Sequence, residues 1–204
     1  MDRAKLMISI LSWNVCGMGD RDKCDSVRLA YPRLPPFVIC LQETKLSDIN
    51  HFKAATFLPG MHSASFSSLN SDGASSGILT AWNTSVLVLL DSTPRQYTLT
   101  TSFMLPASGL YLTITNCYGP CHHAAKTAFL DELCLIHAGI QGAWVDLGDF
   151  NITRGPEERS NDNFNAGEAA LFNEAIDDIE LVEVLLQDRR FTWSNRQNSH
   201  SCQA

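Results

Sequence analysis

Residues 143–151 read Ala143-Trp144-Val145-Asp146-Leu147-Gly148-Asp149-Phe150-Asn151. The apolar run through Leu147 predicts a strand, and Gly148-Asp149 punctuates its end. Side chains i and i+2 of an extended segment point to the same side, so this strand end delivers Asp149 and Asn151 together. A carboxylate can bind a metal ion or take a proton from water. A carboxamide beside it can donate to a phosphate or orient that carboxylate. Gly-Asp is also ordinary turn chemistry, so the pair needs support from the rest of the chain.

Working outward, apolar segments that end in polar residues recur. Residues 6–15 predict a first strand reaching Asn14. Residues 20–34 predict a helix stopped by Pro32 and Pro35-Pro36. Phe37 to Leu41 is a short, continuously apolar strand ending at Gln42-Glu43, and Ser47 is the expected cap of a short helix through Phe57. Residues 63–76 are Ser-rich and read as a turn. Residues 77–82, 86–91, 97–105 and 110–117 follow as a meander of strands. Residues 123–137 have helical spacing, residues 152–165 form a polar loop, and residues 167–179 are amphipathic, followed by the apolar run 181–186. Helix-separated strands, a meander and again helix-separated strands predict two sheets packed face to face with helices outside. Asn14, Glu43, Tyr118 and Asp149 then stand at strand ends. Taken singly, Asn14 also reads as a turn asparagine, Glu43-Thr44-Lys45 as a solvated helix start, and Tyr118-Gly119-Pro120 as loop chemistry. Trp13, Trp144 and Trp193 read as core residues.

A chain of 204 residues can build one sizeable domain, and 45% hydrophobic with 18% charged residues excludes a disordered composition. No apolar stretch approaches the roughly 20 residues of a membrane span. The charged N-terminus runs straight into Ser12-Trp13-Asn14 without a cleavage site, so a signal peptide is not expected and a nuclear or cytoplasmic location is. Seven cysteines at 16, 24, 40, 117, 121, 134 and 202 form no regular framework and suit a reducing compartment. Cys117, Cys121, His122 and His123 match no common zinc spacing and read as loosely placed thiols and surface histidines. The net charge of −7 is uneven: residues 1–60 carry eight Lys/Arg and six Asp/Glu, residues 121–204 six and fourteen. The acidic C-terminal part is no phosphate-binding surface by itself, though a bound metal ion can supply positive charge locally.

Four segments in order complete the reading: Ser12-Trp13-Asn14-Val15-Cys16-Gly17, Leu41-Gln42-Glu43-Thr44-Lys45, Asn116-Cys117-Tyr118-Gly119-Pro120 and Gly148-Asp149-Phe150-Asn151. Together they resemble the endonuclease/exonuclease/phosphatase superfamily, the DNase I-like fold, over residues 10–195. Phe191-Thr192-Trp193-Ser194-Asn195, with Tyr118-Gly119-Pro120, resembles the endonuclease domains of plant non-long-terminal-repeat retrotransposons. The resemblance implies an α/β (α+β) four-layer αββα sandwich of two mixed sheets. It implies Mg²⁺- or Mn²⁺-dependent hydrolysis of a phosphodiester, with DNA as substrate, no membrane and no firm protein partner. Glu43 would be the metal ligand and Asn14 would support it or contact phosphate. Asp149 would orient or deprotonate the attacking water, Asn151 would donate to the scissile phosphate, and Tyr118 would donate to a phosphate oxygen or assist the leaving group.

The chain departs from the family after Asn195. The family pattern continues to a further Asp and a terminal Ser-Asp-His, whereas here His200 follows Ser199 and comes too soon after Trp193. The expectation is a single domain over residues 1–204, incomplete at its C-terminus and lacking its last strands. An exposed sheet edge would favour self-association. Weak or no activity is also expected, because groups of one catalytic unit are strongly non-additive. Cys16 replaces the acidic or polar residue of many relatives. The competing readings are a non-catalytic relic that at most binds nucleic acid or a partner, and an inositol-phosphate or sphingolipid phosphodiesterase of the same superfamily.

Overall fold

A computed structural model describes residues 7–71, 76–159, 163–187, 191–194 and 202–203. The chain divides into two compact units, Met1–Tyr118 with Ile140–Asp149, and Gly119–Gly139 with Phe150–Ala204. The first unit holds two four-stranded mixed sheets. One is built from β1 (Ile10–Asn14), β2 (Val38–Gln42), β3 (Phe66–Leu69) and β4 (Ile78–Trp82), in the order β1-β2-β4-β3. The other runs β5-β6-β7-β8, from β5 (Val88–Pro94), β6 (Thr98–Leu105), β7 (Leu110–Tyr118) and β8 (Ala143–Asp149). Each sheet has one parallel pair, β1 with β2 and β7 with β8, and its other pairings are antiparallel.

The sequence of β2, Val-Ile-Cys-Leu-Gln, is buried along its whole length, as is β4. Both faces of the sheet are therefore covered, which is why β2 shows no polar alternation. Val38, Cys40 and Trp82 pack on Phe103, Leu105, Leu112 and Ile114 of the second sheet, with Val145 and Leu147 alongside. Trp82 meets Phe103 edge-on at 5.4 Å. The alternate residues Ile39, Leu41, Leu79 and Ala81 pack on Cys24 and Val27 of α1 (Arg21–Ala30) and on Ala54 and Phe57 of α2 (His51–Phe57). Each fully buried large side chain contributes about 1.5–3 kcal/mol by leaving water.

Three local readings are corrected. The first helix stops at Ala30, because Tyr31 is already extended, rather than running to 34. The cap of α2 is Asn50, whose side chain accepts from the Lys53 N–H, not Ser47. The Ser-rich stretch 63–76 contains the edge strand β3, where Phe66, Ser67, Ser68 and Leu69 are half-buried and Ser67 shares a hydroxyl hydrogen bond with Ser92 of β5.

The second unit packs α3 (His123–His137) on α4 (Ala166–Asp178). Phe150 lies between Phe129 of α3 and Phe172 of α4, with ring centroids 6.0 and 5.5 Å away. Asn165 caps α4 by accepting from the N–H groups of Gly167 and Glu168. A 3₁₀ turn, Pro156–Glu158, interrupts the predicted loop. The run 181–187 is neither helix nor strand, and Val182, Val184 and Leu185 are exposed. Two-residue strands β9 (Trp193–Ser194) and β10 (Cys202–Gln203) pair antiparallel. Among the described residues no helix is long and apolar enough to cross a membrane.

Candidate active site

The two parallel strand pairs bring four of the five expected residues to their C-terminal ends. Asn14, the last residue of β1, pairs in register with Gln42, the last of β2, and Glu43 follows at once. Tyr118 pairs with Asp149 at the ends of β7 and β8. At these ends a hydrogen bond crosses between the two sheets: Asn14 Nδ2 donates to Asp149 Oδ2 at 2.8 Å, across 135 residues of sequence. The amide orientation of Asn14 follows from its other partners, because its Oδ1 accepts from the Cys16 N–H at 3.0 Å and from the Cys16 thiol at 3.4 Å. Asn14 is thereby held at both ends, and its bond fixes the direction in which Asp149 presents its carboxylate.

The segments that leave β1 and β2 adopt left-handed backbone at Cys16 (φ 51°), Glu43 (φ 54°) and Lys45 (φ 56°). Each such residue costs about 1–3 kcal/mol and persists only where its surroundings hold it. Here the Gly17 N–H donates to the Glu43 carbonyl at 2.7 Å, Met18 to Thr44, Thr44 to Gly77 and Lys45 to Ser76. The turn keeps the Glu43 carboxylate half-buried, with the Lys45 ammonium at 2.8 Å. The hydrogen bond and charge of Glu43 raise the pKa of Lys45. Burial raises the Cys16 thiol, and the Glu43 and Asp149 carboxylates raise it further against the opposing Lys23 and Lys45 charges. Both carboxylates therefore act on one exposed thiol, in a corner that also holds the Lys23 and Lys45 charges.

That corner suits a hard divalent cation. Glu43 is a carboxylate that already draws a cationic group to 2.8 Å. Mg²⁺ needs only one or two protein carboxylates, because it keeps several of its waters. Among the described residues no group of three or more His, Cys, Asp or Glu is gathered as a protein-only cage.

Beneath the strand ends lies a buried amide pair that the sequence reading did not single out. Gln42 Nε2 donates to Asn116 Oδ1 at 2.7 Å and to Ser12 Oγ at 3.1 Å, and Asn116 Nδ2 donates to the Leu79 carbonyl at 3.0 Å. Gln42 immediately precedes Glu43 and Asn116 lies two residues before Tyr118, so this pair links β1, β2, β4 and β7 directly under the site. Its signal was present as an amide at or near the end of each apolar strand, but an amide there reads equally as a solvated one.

Farther back on β8, Asp146 accepts from the Cys117 thiol at 2.8 Å, and its Oδ2 is enclosed without a hydrogen-bond partner among the described residues. Burial pushes the Asp146 carboxyl up to about 7, against the lowering effect of the Cys117 thiol and the Leu147 N–H. Gly148 is required between the two aspartates. Its φ is +143°, and a Cβ there would stand 2.0 Å from the Cys117 carbonyl oxygen.

Asn151 belongs to the second unit and is held there by other means. Its backbone is left-handed (φ 54°), and its Nδ2 donates to the Gly119 carbonyl at 2.8 Å. Lys126 Nζ donates to the Asn151 carbonyl at 2.6 Å and pairs with Glu168 Oε2 at 3.2 Å, while His123 Nδ1 meets Glu168 Oε1 at 2.7 Å. Burial raises the Glu168 carboxyl, but the hydrogen bonds and charges of His123 and Lys126 outweigh it and leave the pKa lowered. Of the residues first considered for zinc, His123 is thus engaged with Glu168 and Cys117 with Asp146. Asn195 and His200 lie outside the described residues.

The endonuclease/exonuclease/phosphatase family profile matches residues 11–203. The chain belongs to this family. Its fold is that of an AP endonuclease from Leishmania major, at 17% identity and a TM-score of 0.66, covering 84% of this chain and 66% of that one. A mannosyl-6-phosphatase from Bacteroides thetaiotaomicron VPI-5482 aligns at 11% identity and a TM-score of 0.55, over 82% and 70% of the two chains. Truncated TDP2 from Caenorhabditis elegans aligns at 15% and 0.51, over 75% and 68%. The chain spans about two thirds of the length of these relatives. Among curated proteins none matches it. Among the described residues, two mixed sheets and four α-helices are thus the DNase I-like architecture read from the sequence, in a family of nucleases and phosphodiesterases that typically depend on a divalent metal.

Proposed function

We propose that this member of the endonuclease/exonuclease/phosphatase family is a Mg²⁺- or Mn²⁺-dependent phosphodiesterase that nicks DNA, of the retrotransposon endonuclease type. The observation that carries the reading is the Asn14–Asp149 hydrogen bond at 2.8 Å between the ends of two parallel strand pairs. It holds a carboxylate in one orientation beside a phenol and close to the acidic turn of Glu43, the constellation that water-mediated cleavage of a phosphodiester needs. DNA is favoured over a lipid or inositol phosphate by the AP endonuclease likeness and by Tyr118-Gly119-Pro120 and residues 191–195.

In this reading Asp149 takes the proton of the attacking water, and Asn14 keeps the carboxylate aimed while it does so. Tyr118 donates its phenolic proton to a phosphate oxygen or to the leaving oxygen. Asn151 donates from Nδ2 to the scissile phosphate. Glu43 would hold the divalent cation, which supplies positive charge against the phosphoryl oxygens. Lys45 gives up or shares its contact with Glu43.

The test is conversion of supercoiled plasmid to the open circle by the purified chain. Nicking with Mg²⁺ or Mn²⁺ and none with EDTA supports the reading. Soluble, folded protein that leaves the plasmid intact with either ion overturns it in favour of a binding-only role.

A further inference from the structure

Lys126 is an unusual residue for its place. It stands on α3 among Phe129, Leu130 and Leu133, and only 6% of its surface is exposed. Lysine is almost never buried to that degree unless its charge is paired. An apolar side chain would fill the same volume without desolvating an ammonium. What the ammonium does instead is donate to the carbonyl of Asn151 at 2.6 Å, while Glu168 on α4 balances its charge at 3.2 Å and His123 braces Glu168 from the far side.

The residue it holds is the strained one. Asn151 sits at φ 54°, directly after Phe150, whose ring is clamped between Phe129 and Phe172. Gly119 is part of the same seat. Its carbonyl accepts from Asn151 Nδ2, and a Cβ on it would fall 2.2 Å from the Phe150 carbonyl oxygen. Three independent contacts thus converge on one short segment: tilted ring contacts on Phe150 before it, a side-chain hydrogen bond from it, and a charged donor on its carbonyl. A left-handed residue needs such over-determination to persist, and the charged hydrogen bond is the strongest of the three.

We propose that Lys126, anchored by Glu168, is a positioning residue that locks the backbone of Asn151 and so aims its side-chain amide. This rests on the proposed role of Asn151 as a donor to the scissile phosphate, and Lys126 acts through Asn151 without touching substrate. A misplaced donor costs turnover more than binding, on the order of 10- to 100-fold for a displacement of about 1 Å.

The experiment pairs Lys126→Met with Asn151→Ala in a kinetic cycle and follows the Asn151 side-chain amide by ¹⁵N NMR, assigned through its loss in Asn151→Ala. Lys126→Met is expected to lower kcat about 10- to 100-fold with KM within about twofold. In the Asn151→Ala background the same change is expected to cost nothing further. The Asn151 amide pair is expected to shift and to exchange faster with water. An unmoved amide, or an equal loss of kcat in both backgrounds, would overturn the proposal. If the wild-type chain hydrolyses nothing, the functional reading fails while the amide resonance still decides the role of Lys126. Should Lys126→Met not fold, the double variant Lys126→Met/Glu168→Gln removes both charges and takes the same measurements.

Discussion

The middle and the end of β8 carry the same side chain in opposite circumstances. Asp146 is turned into an enclosed position, takes a thiol as its partner and titrates at about 7. Asp149, three residues on, stands at the strand end with a carboxamide donor from the other sheet. Desolvation disfavours the charged carboxylate at Asp146, whereas Asp149 is held by the donated amide N–H of Asn14. Residue type therefore assigns neither role. Position along the strand does, because the end of β8 places Asp149 in hydrogen-bond contact with Asn14 at the end of β1. Strand alternation explains the difference in part: Val145 and Leu147 face the core between the sheets, so Asp146 must face away from it.

The largest effect is expected from chelation. EDTA should take phosphodiester cleavage to background, while the pH dependence of unfolding governed by Asp146 stays where it was. A chelator that altered both would show that the two regions are not separate. Next, Asn14→Ala should lower kcat/KM roughly 10- to 100-fold by releasing Asp149 from its orientation. The change should leave the thermal midpoint nearly unmoved, as steady-state kinetics and a melting curve would show. Gln42→Leu should act on stability, costing about 1–3 kcal/mol in urea titration, because the buried Asn116 Oδ1 loses its 2.7 Å donor.

The last effect is on pH dependence and concerns Asp146. Its folded pKa of about 7 lies above the ordinary value of 3.8. The folded state therefore holds the proton more tightly than the unfolded chain. The stability that this group contributes is fully present below about pH 4 and is lost as pH rises towards 7. Asp146→Asn should flatten that part of the stability curve and gain on the wild type above pH 7. Denaturant midpoints between pH 4 and pH 8 decide it, and parallel curves would mean that Asp146 is not the group responsible.

The strands were legible wherever burial wrote itself into composition. β2 and β4 are buried throughout and mostly apolar because both faces are covered, and α3 was bounded to the residue by its spacing. β3 was not legible, since an edge strand of Phe66-Ser67-Ser68-Leu69 buries too little to differ from a Ser-rich turn. Of the candidate site, Asn14, Glu43, Tyr118 and Asp149 could be named from order and resemblance, and the parallel registers bring them to common strand ends. What holds them could not be named. The Gln42–Asn116 pair depends on contacts 74 residues apart. The left-handed backbone of Glu43 depends on carbonyls supplied by other segments. Lys126 looks, in a helical pattern, like any solvated lysine until its burial is known.

The central claim is that Asp149, and not its neighbour Asp146, does the chemistry. Asp149→Asn and Asp146→Asn should be compared side by side in Mg²⁺-dependent plasmid nicking, each shown to be folded by circular dichroism. The account predicts that Asp149→Asn loses about 10²- to 10⁴-fold in rate, the range of a removed general base. It predicts that Asp146→Asn stays within about threefold of wild type, as expected for a group outside the site. Equal losses in the two variants, or nicking that survives Asp149→Asn, would contradict it.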